Sequence, residues 1–416
     1  MLLAKRMLSG AAIVAFSVAA GSSDARPVDL QTPTFSNPTA VTNPLFPVAT
    51  IRHSIKLGEE AGEPMRVELT LLPETRTIEW NGQAVETLVS HYIAYVGGEV
   101  AEVAVDYFAQ ADDGSVWYFG EEVDNYEEGR VADHAGSWLA GRDGPPGLIM
   151  PAQPQVGDVY HPENIPGLVY EETTVQAVGE TVDGPRGPVD GAIRVEEHLM
   201  EGTTEHKVFA PGYGEFRAEA EDELVTMAIA VPTDSLGSEL PAELAAMLGA
   251  ARALFEAAPS GDEDGLSGQV QLAEEAWQRL GARQLPKLLA EQADEAVAAL
   301  RSAADEGETE DVRQAAVDLA RAALDLRLQY RPPSEVDLGR LDAWARQLII
   351  DAEAGEGDAA SSSVAILEAI WQRIRHAVDA GPARLIEERL AELRAAADAD
   401  ELGAAAAGAM ALVTLL

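Results

Sequence analysis

Along residues 51–231 apolar and polar side chains alternate in short runs, and beyond residue 236 the apolar positions recur at steps of three and four. Alternation lays one face of a strand against a core, whereas steps of three and four lay one stripe of a helix there. Two folds in succession are therefore predicted. Residues 65–72 show the first pattern most plainly, with Val67, Leu69 and Leu71 interleaved by Arg66, Glu68 and Thr70. Asn81-Gly82, Gly97-Gly98 and Asp113-Gly114 fall between such runs and carry the turn chemistry of tight hairpins. Later strands are predicted over residues 168–178, 192–199, 205–209 and 223–231. With no helical pattern among them, they imply an antiparallel β sandwich or small barrel over residues 48–231.

In the second half Val312, Ala316, Leu319, Ala323, Leu326 and Tyr330 line one face of a helix, and Ile386, Leu390, Leu393 and Ala397 repeat the spacing. Shorter faces pass through Val270, Trp277 and Leu280, through Leu289, Ala296 and Leu300, through Leu338, Leu341 and Ala345, and through Leu367, Ile370 and Ile374. Gly and Pro interrupt them at residues 259–268, at Gly307, at Pro332-Pro333, at residues 355–363 and at Gly381-Pro382, and Ser334 with Asp337 reads as a capping pair. About six helices joined by short loops make an antiparallel α-helical bundle over residues 237–416, and the fold class is α+β.

Three stretches keep neither period. Residues 1–25 run from Lys5 and Arg6 through an apolar segment to the small residues Ser23 and Ala25, the order of a secretory signal peptide cleaved after Ala25. The apolar segment is too short to span a bilayer. Residues 26–47 carry Pro27, Pro33, Pro38, Pro44 and Pro47 and are predicted to form an extended arm. Residues 129–166 accumulate Gly and Pro, which predicts a functional loop or a flap packed on the β domain.

Charge narrows the field of partners. Asp and Glu number 71 against 29 Lys and Arg, a net charge of -42. Such a surface repels phosphate backbones and anionic headgroups, so nucleic acid and anionic membrane surfaces are not expected partners. The chain has no cysteine, which excludes disulfides, thiolate metal sites and a cysteine nucleophile.

Asp106-Tyr107-Phe108-Ala109-Gln110 followed by Val116-Trp117-Tyr118-Phe119-Gly120-Glu121 resembles a signature of a widespread, functionally uncharacterised family of exported bacterial β-domain proteins. Asn43-Pro44-Leu45-Phe46-Pro47 resembles that family's opening motif, Gly136-Ser137-Trp138 its middle one, and Met150-Pro151-Ala152 with Gly157-Asp158 the next. Ala210-Pro211-Gly212-Tyr213-Gly214 is similar to its closing turn. The resemblance spans residues 43–217, departs at Val48-Ala49-Thr50 where a Pro-Gly-Thr turn is usual, and implies a fold and export but no chemistry.

The densest candidate site is the acidic and aromatic stretch after Asp113-Gly114. Asp106, Glu121, Glu122 and Asp124 offer hard oxygen ligands to calcium, although their spacing matches no defined calcium loop. Trp117, Tyr118 and Trp138 are the candidate contacts for an unknown small ligand. Asp262-Glu263-Asp264-Gly265 resembles half of a calcium loop, but its Gly comes too early and a polar interhelical loop is expected instead. His198 and His206, with Glu205, lie on neighbouring predicted strands where zinc or acid–base chemistry is conceivable, yet exposed strand histidines are the ordinary reading. Trp277, Trp344 and Trp371 are expected in the core of the bundle.

No serine-elbow, Ser-x-x-Lys, His-Glu-x-x-His, phosphate-cradling or dinucleotide-binding motif occurs, and only Lys56, Lys207 and Lys287 follow the signal segment. The expectation is an exported, periplasmic or secreted, non-enzymatic binding or accessory module of the cell envelope. A hydrolase of an envelope or extracellular polymer with carboxylate acid and base is the alternative. A third reading has the helical half docking to an envelope protein partner.

Overall fold

A computed structural model describes residues 25–234, 239–260 and 263–416, except the side chains of Glu263 and Asp264. The predicted signal peptide up to Asp24, residues 235–238 of the connection between the two halves, Gly261 and Asp262 lie outside the described residues. Two compact units result: the described residues up to Asn125 with Ala132–Thr233, and Tyr126–Val131 with Asp234–Leu416.

The first unit is built on sixteen strands among the described residues. They are β1 (Arg26–Pro27), β2 (Ile51–Glu60), β3 (Glu63–Trp80), β4 (Gln83–Val96), β5 (Glu99–Gln110), β6 (Val116–Glu127), β7 (Arg130–Asp133) and β8 (Trp138–Leu139). There follow β9 (Gly147–Met150), β10 (Asp158–Tyr160), β11 (Asn164–Ile165), β12 (Val169–Gly184), β13 (Gly187–Leu199), β14 (Thr204–Ala210), β15 (Gly214–Ala220) and β16 (Glu223–Pro232). Two antiparallel meanders, β2 to β7 and β12 to β16, join where β16 pairs β2. The sheet does not close on itself, so the unit is a sandwich rather than a barrel. Its main core gathers Phe108, Trp117, Phe119, Trp138, Met150 and Val195.

The predicted turns form for the expected reason: Asn81 and Gly82 have φ of 50° and 75°, the left-handed pair a two-residue hairpin needs. Residues 129–166 hold β7 to β11, each too short to display an alternation, and they bury Trp138, Leu148, Met150 and Tyr160. Residues 26–47 form no helix. Val41 and Leu45 enter the core, and Asn43 Nδ2 donates to the Gly114 and Pro151 carbonyls at 3.1 Å each.

The second unit holds eight α-helices among the described residues: α1 (Ala242–Ala257), α2 (Glu263–Leu280), α3 (Lys287–Glu306), α4 (Thr309–Arg327), α5 (Pro333–Ala354), α6 (Gly357–Ile374), α7 (Ala380–Asp398) and α8 (Leu402–Leu415). The two beyond the predicted six are α1 and α8. In α1 the buried Leu244, Met247, Ala251 and Leu254 do step by three and four. In α8 almost every residue is apolar, so no polar face exists to reveal a period, and Ala405, Ala409 and Leu412 are buried.

Ser334 and Asp337 do not cap α5. Its N-cap is Pro332, with no side-chain capping bond. Asp337 instead accepts from Arg373 Nε and Nη2 and from Arg340 Nη1, each at 2.8 Å, while Arg340 Nη2 reaches Asp325 at 2.7 Å. All four side chains are at most 4% exposed. No helix among the described residues is long and apolar enough to cross a membrane.

Candidate binding cavity

Strict alternation would send Tyr118 and Glu121 to opposite faces of β6. An extra residue prevents this: Phe108 pairs with Tyr118 and Asp106 with Glu121, so two residues of β6 oppose one of β5. The bulge contains Gly120 at φ 118°, where a Cβ would stand 2.2 Å from the Trp138 carbonyl oxygen. Glycine there lets β8 approach and turns Asp106, Phe108, Tyr118 and Glu121 to one buried face. The Tyr118 hydroxyl donates to Asp106 at 2.8 Å, its ring stacks on Phe108, and Trp138 meets that ring edge-on.

The four carboxylates predicted to hold calcium divide two and two, because a single step along a strand changes the face. Asp106 and Glu121 are buried partners. Glu122 and Asp124 lie on the other face with side chains 56% and 45% exposed. There Glu122 accepts from the Tyr107 hydroxyl at 2.8 Å and pairs with Arg76 at 3.0 Å, while Asp124 lies 2.8 Å from His134 Nδ1. Among the described residues no group of three or more His, Asp or Glu side chains is placed to hold a metal ion.

Burial and mutual repulsion act on the inward pair. Burial first, and then the neighbouring Asp106 and Glu102, push the Glu121 carboxyl up to about 8, against a hydrogen bond shared with Glu163. Asp106 is raised to about 6 by burial, against the hydrogen bond from Tyr118. Of the three predicted ligand aromatics, Tyr118 lines a half-open cavity. Trp117 and Trp138 are buried with their indole N–H groups donating to Ser115 at 2.8 Å and to Glu163 at 3.0 Å.

That cavity lies wholly within the β unit and offers the centres of water-sized molecules about 80 Å³. This is room for several waters or one small organic molecule. Phe46, Leu69, Leu71, Phe108, Ile149 and Phe209 form its apolar walls, and Lys56, Lys207, Glu197 and Glu215 with Tyr118 and Tyr160 form its polar side. Two of the three lysines that follow the signal segment therefore sit in one buried place.

Strand geometry explains their company. On β14 Glu205, Lys207 and Phe209 point inward together, Glu205 opposite Glu197 of β13, and Thr173 of β12 opposite Glu197 from the other side. Lys207 Nζ bonds Glu197 and stands 3.0 Å from Glu205, Lys56 Nζ bonds Glu215, and the Thr173 hydroxyl donates to Glu197 at 2.6 Å.

Charge closes on itself in this group. Burial works against Glu215 and Glu197, but Lys56 and Lys207 outweigh it for Glu215, which falls to about 2, and Lys207 outweighs it for Glu197, which also falls. Burial and the Glu197 charge win at Glu171 and Glu205, both raised toward the neutral acid. Lys207 is held protonated, because its glutamates overcome the penalty of burial. Lys56 and Lys207 thus pair with Glu215 and Glu197, while burial favours the neutral form of Glu171 and Glu205. The Tyr160 hydroxyl and both oxygens of Glu171 are buried without a hydrogen-bond partner.

Glu205 stands on the inner face, away from His198 and His206. Those two are about half exposed and flank Glu196, at 3.3 Å and 4.0 Å. A larger hollow, about 330 Å³ by the same measure, lies among α1, α4 and α5. Its arginines are already engaged by acids: Arg346 with Asp342 at 3.0 Å, Arg252 with Asp342 at 3.4 Å and Arg327 with Glu335 at 3.1 Å.

Sequence reasoning missed Lys56, Tyr160, Glu171, Glu197, Lys207 and Glu215. One signal was available: lysine is so scarce that each one on a predicted strand invites the question of what it pairs with. No protein-family model matches the chain, and no curated protein matches it.

Proposed function

We infer that the chain is an exported binding module whose β unit encloses a small, largely apolar molecule. The observation that supports this reading is the cavity itself, with walls from Phe46, Leu69, Leu71, Phe108, Ile149 and Phe209 and a few convergent polar groups on one side. Apolar enclosure with sparse, placed polar atoms is how proteins recognise small ligands. Turnover finds little support. Lys207 is held charged and so is a poor nucleophile, and the carboxyls beside it are matched to lysines or pushed toward the neutral acid by burial.

The test is a titration of the protein, labelled at Ile and Leu methyls, with benzene as an apolar probe. Saturable shifts at Leu69, Leu71 and Ile149 are expected, and Leu71→Trp, which fills the cavity from a half-buried wall position, should abolish them with the far-ultraviolet spectrum unchanged. Absence of saturable shifts in the parent protein, or shifts indifferent to the Trp plug, would reject the reading.

A further inference from the structure

The polar side of this cavity also specifies the head of its ligand, an inference that rests on the binding reading above. A charged head would leave water for a place where each charge is already answered, Lys56 by Glu215 and Lys207 by Glu197. No counter-charge is left to repay its desolvation, and an added ion would have to break an existing buried pair. A cationic head gains little from Glu171 and Glu205, which do not line the cavity: burial favours their neutral forms, and Glu205 already stands 3.0 Å from Lys207.

A phenol donor of the lining, by contrast, is left over. Tyr160 lines the cavity at 1% exposure, and its hydroxyl has no partner. A buried hydroxyl left unpaired is costly, and burial together with Glu197 keeps the phenol protonated, so it remains a donor. Tyr118, the other phenol of the lining, has its proton committed to Asp106.

We propose that the cavity takes a small molecule with an apolar body and an uncharged head, such as a ketone, ester or alcohol, whose oxygen accepts a hydrogen bond from the Tyr160 hydroxyl. The apolar walls recognise the body, and the self-neutralised ion pairs reject charged analogues of the same length. Specificity of this kind comes as much from what is excluded as from what is bound.

Four probes test the proposal on the whole protein at neutral pH: hexan-2-one, hexanoate, hexylammonium and benzene, read by the same methyl shifts. Hexan-2-one should bind at least about tenfold more tightly than either ion, the ratio expected from an uncompensated desolvation of little more than one hydrogen bond's strength. Tyr160→Phe keeps the ring and removes the donor, so it should weaken hexan-2-one by about five- to tenfold and leave benzene unchanged. Hexanoate or hexylammonium binding as tightly as the ketone would overturn the proposal, as would a Tyr160→Phe protein that binds the ketone undiminished. In either case benzene still binds and the cavity reading stands. If no probe, benzene included, shifts the methyls, both readings fall together. The head-group ranking is measured on the parent protein, so it decides even if the variant fails to fold.

Discussion

Both units bury ion pairs, and they do so to opposite ends. In the helical unit Asp325, Asp337, Arg340 and Arg373 form a set of two acids and two bases, with Asp337 taking three 2.8 Å bonds and its neighbour Asp325 one at 2.7 Å. In the β unit Lys56 and Lys207 face Glu171, Glu197, Glu205 and Glu215, so acids outnumber bases and burial pushes the surplus acids, Glu171 and Glu205, toward the neutral form. The first arrangement is a closed joint between α4, α5 and α6 that specifies how three alanine-rich helices register. The second borders a cavity and leaves a hydroxyl unpaired. Matched stoichiometry marks a structural lock, whereas surplus groups beside a cavity mark a place for a ligand.

The sharpest way to break this comparison is to remove one member of the lock. Arg373→Met leaves Asp337 buried with a single partner and should cost about 3–5 kcal/mol of the helical unit's stability, read from chemical denaturation of the helical signal. Replacing all four charged residues by well-packed apolar ones should cost less than that single change, because no uncompensated charge remains. A quadruple variant weaker than Arg373→Met would mean the set contributes more than registration.

Lys207→Met attacks the β unit in the same manner and should cost less, about 1–3 kcal/mol, because Glu197 can take up a proton where an arginine-locked aspartate is held by several bonds. The loss should shrink as pH falls from 8 to 5, through the range in which a buried, unpaired glutamate protonates. A penalty equal to that of Arg373→Met, and flat with pH, would erase the distinction between the two networks.

The pH dependence of the parent protein supplies the third test. Glu121 and Glu223 are raised to about 8 and Asp106 to about 6, above their unfolded values, so the folded β unit binds protons more tightly than the unfolded chain. The glutamates' contribution is complete below pH 4.5 and is lost as pH rises toward 8, and that of Asp106 is complete below pH 3.8 and is lost as pH rises toward 6. Glu215, lowered to about 2, works the other way, and its contribution disappears only as pH falls from 4.5 toward 2. Stability of the β unit should therefore peak in mildly acidic solution. Glu121→Gln should remove about 3 kcal/mol of the decline between pH 5 and 8, measured by denaturation at each pH. An unchanged slope in that variant would show that Glu121 is not the group that titrates.

The sequence by itself determined the class of the fold and the change of architecture between its halves, because burying one side of a strand or helix imposes a period that any reader of the chain can see. It also determined the hairpin turns, since few residues tolerate the backbone angles at Asn81, Gly82 and Gly114. The helix α8 escaped because a nearly uniform apolar segment has no period, and the flap because its strands are only two to four residues long. The site was decided by tertiary structure. Alternation sorts residues into two faces without naming which face is inward, and in a chain this acidic, Glu197 and Glu215 look no different from a solvated glutamate. The bulge at Gly120 then exchanged the faces of part of β6, which put Asp106 with Glu121 instead of with Glu122 and Asp124. Register across β2, β13, β14 and β15 brought Lys56, Glu197, Lys207 and Glu215 around one cavity from positions up to 159 residues apart. No local pattern encodes such a meeting, because the energy that holds it arises only when the strands pair.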